Sequence, residues 1–313
     1  MKKNNKISVV IPCYYNQDNI PVTINELKLN EAIFPEEVQF EYILVDDGSR
    51  DNTWQELKKV KSQYPDQITI VKLAGNVGSY TAILAGLAEG EGDCYTVLAA
   101  DLQDPPELIL KMYSHWKNGT KLIMANREDR EDPLGQRLFS NTYHFLMRKL
   151  AIKDIPKGGF DFVFFDKQLK EEVVKMQEKN TNTLYLLPWM GYEYVTIPYV
   201  RKKREIGESR WTNAKKIKLF IDSFVSFSYF PLRLISVAGI GLGFCSIFFG
   251  FIVIFAKLFH FNWIHVDGWS TLMTVTLFIG SFQMIGLGII GEYVWRGLDA
   301  SRNRPNFIVA EKQ

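Results

Sequence analysis

Short apolar runs alternate with amphipathic stretches along residues 6–125. The apolar runs are ISVVIP, FEYILVDD, ITIVKLA, CYTVLAAD and KLIMANR. They are rich in β-branched residues and typical of strands, and helical patterns begin at about Asn19, at about Asn52, in TAILAGLAEG and after Pro106. Strands separated by helices of this size predict βαβ units and a mostly parallel sheet that helices cover on both faces.

Unusual residues, among them several acids, lie at the ends of three of these strands. The first strand ends at 12–14, the second at 46–49 and the fourth at Asp101. Ligands of parallel sheets bind beyond the carboxyl ends of the strands, and an unpaired buried carboxylate is costly. We therefore expect a polar cleft there that binds hydrogen-bond donors or cations. VDDGSRDNT alone also fits an Asx-rich turn that caps the next helix through Asn52 or Thr53.

The segment LAADLQDPPEL joins an apolar run to two acids and a double proline. Asp101 and Gln103 offer the oxygen ligands that a hard divalent cation prefers, and such a cation would neutralise a diphosphate. Asp104 precedes Pro105 and Pro106, and we expect it to open the next helix, with proline in the first turn.

Two long apolar runs lie in the last third of the chain. Residues 234–255 and 272–290 hold about 22 and about 19 residues, each enough for a helix to cross a hydrocarbon core of roughly 30 Å. Lysines and arginines flank the pair, whereas the connecting AKLFHFNWIHVDG has one lysine and one aspartate. The positive-inside rule places the residues before and after the pair in the cytosol. Two buried core helices are the alternative interpretation.

Residues 214–234, AKKIKLFIDSFVSFSYFPLRL, combine a basic end with an apolar stripe at helical spacing. This pattern predicts an amphipathic helix in the membrane interface. Packing of that helix on the soluble domain is the alternative. The predicted organisation is 1–212 for a cytosolic α/β domain, 213–231 for the interfacial helix, 232–296 for a two-helix transmembrane hairpin and 297–313 for a cytosolic tail.

Composition narrows the classes of partner. The 37 lysines and arginines are nearly matched by 35 acids, for a net charge of +2, which gives no case for nucleic-acid binding. The three cysteines have no metal-like spacing and argue against a disulfide framework or a zinc site. The apolar patch near residue 10 is short, contains Pro12 and lacks a small-residue cleavage site, so we expect a first strand rather than a signal peptide.

Five segments together carry a resemblance to a known family. They are SVVIPCYYN, VDDGSRDNT, GNVGSYTAILAGL, ADLQDPPEL and RKKREIGESRW, in this order and ahead of the two apolar runs. The chain resembles the family 2 glycosyltransferases of GT-A fold, and within them the polyprenyl-phosphate glycosyltransferases, which include dolichol-phosphate mannose synthase and the bacterial enzymes that charge undecaprenyl phosphate with a sugar. The resemblance implies a Rossmann-like α/β nucleotide-sugar domain of GT-A type, followed by the interfacial helix and two transmembrane helices.

The resemblance also implies roles for single residues. The implied nucleotide contacts are Pro12, Tyr14, Asn16, Asp46 and Asp47. The implied metal ligands, for Mg²⁺ or Mn²⁺, are Asp101 and Gln103. The implied phosphate contacts are Arg127, Arg204 and Arg210. The implied catalytic residues are Asp101, Asp161 and Arg204.

The chain departs from the family pattern at three positions. Ala99 stands where most members have an aspartate, Asn16 where many have a glutamate and Val163 where many have an arginine. A site with the single acid Asp101 would bind its cation mainly through the phosphates of the substrate. Asp161 would orient the acceptor or an arginine, and it also fits a turn after two glycines. The basic run 201–210 also fits a solvated or lipid-headgroup patch.

The expected activity is inverting transfer of one sugar from a UDP-linked donor to undecaprenyl or another polyprenyl phosphate. The acceptor phosphate has a second pKa near 6 and is largely dianionic at neutral pH, so its attack needs no strong base. The expected location is the inner (plasma) membrane, multi-pass, with a cytosolic catalytic domain. The expected partners are the nucleotide sugar, the lipid acceptor and the membrane, with a homo-oligomer and a downstream flippase or glycan transferase as further candidates.

Two rival functions remain at this point. A processive polysaccharide synthase of the same fold would carry a QxxRW motif, but Gly207 occupies the position of that glutamine. A membrane scaffold that has kept the fold and lost turnover is the other rival, and Ala99 motivates it.

Overall fold

The computed structural model describes residues 5–127, 145–152, 155–156, 159–176, 178–179, 181–201, 221–259 and 268–313. Contacts divide the chain into two compact units. The first comprises Met1–Ser226 together with Arg304–Gln313, and the second comprises Phe227–Asn303.

The first unit is an α/β domain whose described residues form an eight-stranded sheet. The strands are β1 (Asn5–Cys13), β2 (Val38–Asp46), β3 (Ile68–Leu73), β4 (Cys94–Val97), β5 (Leu122–Arg127), β6 (Phe160–Asp166), β7 (Tyr194–Tyr199) and β8 (Val309–Lys312). Their order is β7-β5-β6-β4-β1-β2-β3-β8. All run in one direction except β6 and β8, so the predicted mostly parallel sheet is confirmed.

Six helices of this unit have defined bounds. They are α1 (Ile20–Glu31), α2 (Thr53–Gln63), α3 (Ser79–Glu89), α4 (Leu108–Lys117), α5 (Lys167–Lys175) and α6 (Thr183–Trp189). The first four are the helices that the sequence predicts. Asn52 lies at the N-cap position of α2 without a capping hydrogen bond from its side chain. Asp51 accepts the hydrogen bond from the Thr53 backbone N–H instead, at 3.1 Å.

Apolar spacing explains why these elements form and how they pack. In α1, Ile20, Ile24 and Leu27 recur at helical spacing and are buried against the sheet. On β1, the central residues are buried on both faces, as a parallel strand between helical layers requires. Helix α3 lies so close to β1 that a Cβ on Gly86 would come within 2.4 Å of Val10 Cγ1.

The carboxyl ends of β1, β2, β4, β5 and β7 share one edge of the sheet. This edge is the one formed by the ends of the strands, not the one formed by an outermost strand. The register pairs Cys13 with Asp46 at the ends of β1 and β2, and Arg127 with Tyr199 at the ends of β5 and β7. Because β6 is antiparallel, its first residues lie at this same edge. The polar strand ends that the sequence singles out therefore converge on one side of the domain.

Residues after the second apolar helix return to the sheet as its edge strand. The Gln313 backbone N–H donates to Ile70 O and the Ile70 N–H to Gln313 O, both at 3.0 Å. Glu311 accepts a hydrogen bond from Trp54 Nε1 at 3.2 Å and lies 3.3 Å from Lys58 Nζ. A short, charged edge strand is a common way to protect a sheet from pairing with other chains.

The second unit consists of α7 (Phe230–Leu258) and α8 (Gly268–Ser301). Both are long and apolar enough to cross a membrane, over Phe230–Phe249 and Leu272–Ser301. Their large apolar side chains face outward, as lipid-facing residues would. Tyr293 Oη donates to Ser228 O at 2.6 Å. The two predicted apolar helices are confirmed. Of the predicted interfacial helix, 213–231, the structure describes residues 221–231: residues 221–227 are helical, 228–229 are not, and α7 begins at Phe230.

We predict that deletion of residues 309–313 lowers the thermal midpoint of the protein. The deletion removes several backbone hydrogen bonds, each worth about 1 kcal/mol net, and uncovers the edge of β3. Unfolding followed by tryptophan fluorescence in detergent measures the change, since Trp54 is buried and contacts β8.

The matched control is Lys312→Ala, which removes only the ion pair with Glu89 on the surface. An exposed pair contributes up to about 1 kcal/mol, so this variant should stay close to wild type. An unchanged midpoint after the deletion would show that β8 does not stabilise the sheet.

Candidate active site

The loop after β1 is held in a strained turn by the loop after β2. Tyr15 has φ +56°, a left-handed backbone that is uncommon for residues other than glycine. Its N–H donates to Ser49 Oγ at 2.9 Å, and the Asn16 N–H donates to Thr53 Oγ1 at 2.9 Å. Asn16 Oδ1 in turn accepts from the Tyr14 N–H at 2.7 Å. The amide of Asn16 therefore shapes the turn that presents Tyr14.

Asp46 is a buried carboxylate with one unused oxygen. The residue is 0% exposed, and its Oδ1 accepts from the Ser49 N–H at 3.0 Å. Its Oδ2 is buried and has no hydrogen-bond partner within the described residues. Burial raises the pKa of Asp46, and the hydrogen bonds from Ser49 oppose that shift. A buried acceptor without a donor at a strand end is suited to receive an N–H or O–H of a ligand.

Asp47 is bound by the loop that precedes α3. Its two oxygens accept hydrogen bonds from Asn76 Nδ2 (2.9 Å), the Val77 N–H (2.7 Å) and the Gly78 N–H (3.0 Å). Next to it, Gly48 has φ +69°, and a Cβ there would lie 2.6 Å from the carbonyl carbon of Gly75. Asp47 and Gly48 thus fasten the segment GNVGS to the turn after β2.

The loop after β4 folds back on itself around Asp101. Thr23 Oγ1 donates to Ala100 O at 2.7 Å, and the Gln103 N–H donates to Asp101 Oδ1 at 3.3 Å. Leu102 between them has φ +52°, a second left-handed residue that is not glycine. Asp101 and Gln103 are half-buried at this turn. Strained residues that are held in place in this way concentrate at functional sites.

Asp104 has a role that the sequence did not reveal. It is 3% exposed, accepts a hydrogen bond from Tyr199 Oη and lies 3.8 Å from Arg201 Nε. The expectation that Asp104 opens the next helix is wrong, because α4 begins at Leu108 with Glu107 at its N-cap position. The sequence Asp-Pro-Pro is compatible with a helix start and also with this long-range contact, so it does not distinguish the two.

Arg127 and Asp161 lie at the same edge of the sheet as Asp101. Arg127 is the last residue of β5, and Asp161 is the second residue of β6. The side chains of both lie outside the described part of the structure, as do Arg204 and Arg210 entirely. Val163, at the position where the resemblance implies an arginine in many members of the family, is fully buried within β6.

The donor set near Asp101 can be tested for its fit to a metal ion. Among the described residues, no group of three or more His, Cys, Asp or Glu side chains could hold one. Asp101 and Gln103 nevertheless supply the carboxylate and amide oxygens that Mg²⁺ and Mn²⁺ bind. With so few protein ligands, phosphate oxygens and water must complete the coordination shell. The residues fit a cation that binds together with a diphosphate.

Comparison with known proteins identifies the family. Residues 8–171 match the model of Glycosyl transferase family 2. The chain belongs to this family. It is a glycosyltransferase, and the expected mostly parallel α/β fold, followed by two apolar helices, is confirmed.

The similarity to relatives extends over nearly the whole chain. An uncharacterized glycosyltransferase of Bacillus subtilis (strain 168), YkcC, is 33% identical to this chain. The match covers 99% of this chain and 94% of YkcC. The bactoprenol glucosyl transferase of Shigella phage SfV is 30% identical and covers 98% of this chain and 99% of its own. Among solved structures, a mannosyltransferase from Pyrobaculum calidifontis in complex with GDP-Man and Mn²⁺ matches 69% of this chain and 61% of its own, at 18% identity and a TM-score of 0.48.

We predict that Asp46→Asn raises stability and weakens nucleotide binding. A carboxyl whose pKa is raised in the folded state contributes stability at low pH, and this contribution is lost as the pH rises through the folded pKa. The variant should therefore have a higher thermal midpoint than wild type near pH 7.5, with a difference that shrinks toward pH 4. Loss of a hydrogen bond to a charged group should weaken nucleotide binding about 10- to 100-fold. A difference in midpoint that does not depend on pH would contradict this account.

We predict that Asp47→Asn destabilises the domain by about 1–3 kcal/mol, because an amide NH₂ would face N–H donors where a carboxylate oxygen now accepts. Denaturant titration of the purified protein measures the loss. Asp66→Asn is the matched control, since Asp66 is exposed in the loop before β3. Equal stability of the two variants would rule out the fastening role of Asp47.

Proposed function

We propose that the protein transfers one sugar from a nucleotide-diphosphate sugar to polyprenyl phosphate at the cytosolic face of the membrane. The observation that carries this proposal is the similarity to bactoprenol glucosyl transferases over nearly the whole chain, including both apolar helices. The product is a polyprenyl-phosphate sugar. We extend the proposal to a downstream flippase or glycan transferase that takes up this product, and to a homo-oligomer.

In this proposal the nucleotide binds over the ends of β1 and β2. The unpartnered Oδ2 of Asp46 accepts a hydrogen bond from the base or the ribose. Pro12 and Tyr14 contact the base from the adjacent strained loop, and Asn16 and Asp47 keep the two loops in place. We propose a UDP-linked donor.

The diphosphate of the donor binds over the ends of β4 and β5. Asp101 and Gln103 would hold Mg²⁺ or Mn²⁺, which supplies neutralisation of the charge that develops on the leaving group. Arg127, Arg204 and Arg210 bind phosphate oxygens, for which the planar fork of arginine is well suited.

The reaction is a single displacement at the anomeric carbon. An oxygen of the lipid phosphate forms the new bond to that carbon as the bond to the β-phosphate oxygen breaks, and the nucleoside diphosphate leaves with the electron pair. Attack from the opposite side inverts the anomeric configuration. The dianionic acceptor has no proton to lose, so Asp161 acts by orienting the acceptor or an arginine.

The apolar helices keep the enzyme where its acceptor is. Each CH₂ of an isoprenoid contributes about 0.8 kcal/mol to its retention in the bilayer, so the lipid phosphate stays at the membrane surface. Strand β8 pairs with β3, and both candidate spans lie between these strands in the chain. Two crossings of the membrane would return the chain to the side on which β1 to β7 lie. With the basic flanks, this supports a multi-pass inner-membrane protein whose catalytic domain is cytosolic.

The first test supplies membranes that contain the protein with undecaprenyl phosphate and a panel of labelled nucleotide sugars. Asp101→Asn should reduce the formation of labelled lipid at least 100-fold, since one metal-binding carboxylate is lost. Asp66→Asn is the exposed control and should retain full activity. Undiminished transfer by Asp101→Asn would rule out its role.

Removal of divalent cations separates the transferase from a scaffold. Chelation should abolish transfer, and added Mg²⁺ or Mn²⁺ should restore it. Nucleotide-sugar binding that does not depend on metal, together with no transfer of any sugar in the panel, would favour the scaffold.

A further inference from the structure

An ion pair between the buried Asp104 and the partly exposed Arg201 joins the loop after β4 to the residues after β7. In the sheet, β6 and β5 lie between these two strands, so three strand spacings, about 14 Å, separate them. Asp104 bridges this distance by its contacts with Tyr199 and Arg201. The loop that contains Asp101 is therefore tied to the end of β7.

The negative charge of Asp104 is compensated by a hydroxyl group and a guanidinium group. Asp104 is almost fully buried, and a carboxylate in that position needs a donor and a cation. Tyr199 supplies the hydroxyl and Arg201 the charge. The side chain of Arg201 is 30% exposed, and its Nε is buried without a hydrogen bond within the described residues. The guanidinium has further N–H groups beyond Nε that a phosphate can use.

We propose that Asp104 is a positioning residue of the phosphate site. Through Tyr199 and Arg201 it ties the chain at the end of β7 to the loop that contains Asp101. Arg201 thereby becomes an additional phosphate-binding residue. The inference rests on the proposed function and adds to it an ion pair that holds the cation of Arg201 beside the loop that contains Asp101.

The test compares Asp104→Asn, Arg201→Gln, the double variant and Tyr199→Phe in the purified full-length protein. Asp104→Asn keeps an acceptor for Tyr199 and removes only the charge. Each of the two charge variants should lower kcat/KM for the nucleotide sugar about 10- to 100-fold, because small misplacements at a reacting centre cost about that much. The kcat/KM of the double variant should be no lower than that of the less active single variant, since both changes disable the same contact.

A second readout separates positioning from a general loss of structure. The affinities for UDP and UMP are measured by calorimetry in the presence of Mn²⁺. Asp104→Asn and Arg201→Gln should lower the ratio of UDP to UMP affinity, because only UDP carries the second phosphate. Arg201→Lys, which keeps the charge, should restore part of that ratio. Lys59→Gln removes an exposed lysine on α2 and should leave activity and ratio unchanged.

The possible results distinguish a failure of this inference from a failure of the proposed function. Additive effects in the double variant, or an unchanged ratio in both single variants, would overturn the inference while leaving the proposed function intact. If Asp104→Asn does not fold, Tyr199→Phe and Arg201→Gln test the inference instead. Wild-type kinetics in both of these variants would overturn it. If the wild type forms no labelled lipid and binds neither nucleotide, the proposed function is wrong and this inference falls with it.

Discussion

A carboxylate buried at the end of a strand has to be compensated, and this constraint organises one edge of the sheet. Asp47 is compensated by three N–H donors from the loop before α3, and Asp104 by a hydroxyl and a guanidinium. Asp46 keeps one oxygen without a partner among the described residues. The same cost explains why we propose Asp46 as a ligand contact: a donor that reaches its Oδ2 would remove the penalty of an unpaired buried acceptor.

The loops at this edge hold one another in place before any ligand arrives. The left-handed backbones of Tyr15 and Leu102 each cost about 1–3 kcal/mol, and hydrogen bonds from neighbouring loops offset that cost. Ser49 fixes the first, and the turn around Asp101 contains the second. A site whose geometry is already set loses less entropy on binding, and catalysis by electrostatic stabilisation depends on such order.

Local patterns predict β1 to β5 and α1 to α4, because each of these elements buries an apolar face that can be read within about a dozen residues. The contact of Asp104 with Tyr199 joins residues 95 positions apart, and no spacing in the sequence encodes it. The same limit applies to Asp47, whose partners depend on how a separate loop folds. Strand β8, with the sequence VAEK, is too short and too polar to be recognised before β3 is known as its partner.

The position of β8 in the chain has a consequence for biosynthesis. Strands β1 to β7 precede both apolar helices, whereas β8 follows them. During translation the α/β domain can therefore assemble most of its fold early, but the outer side of β3 stays open until both apolar helices have been made. Completion of the sheet is thus tied to synthesis of both apolar helices, and a chain interrupted within them keeps an unpaired β3 edge, the kind of surface that invites aggregation.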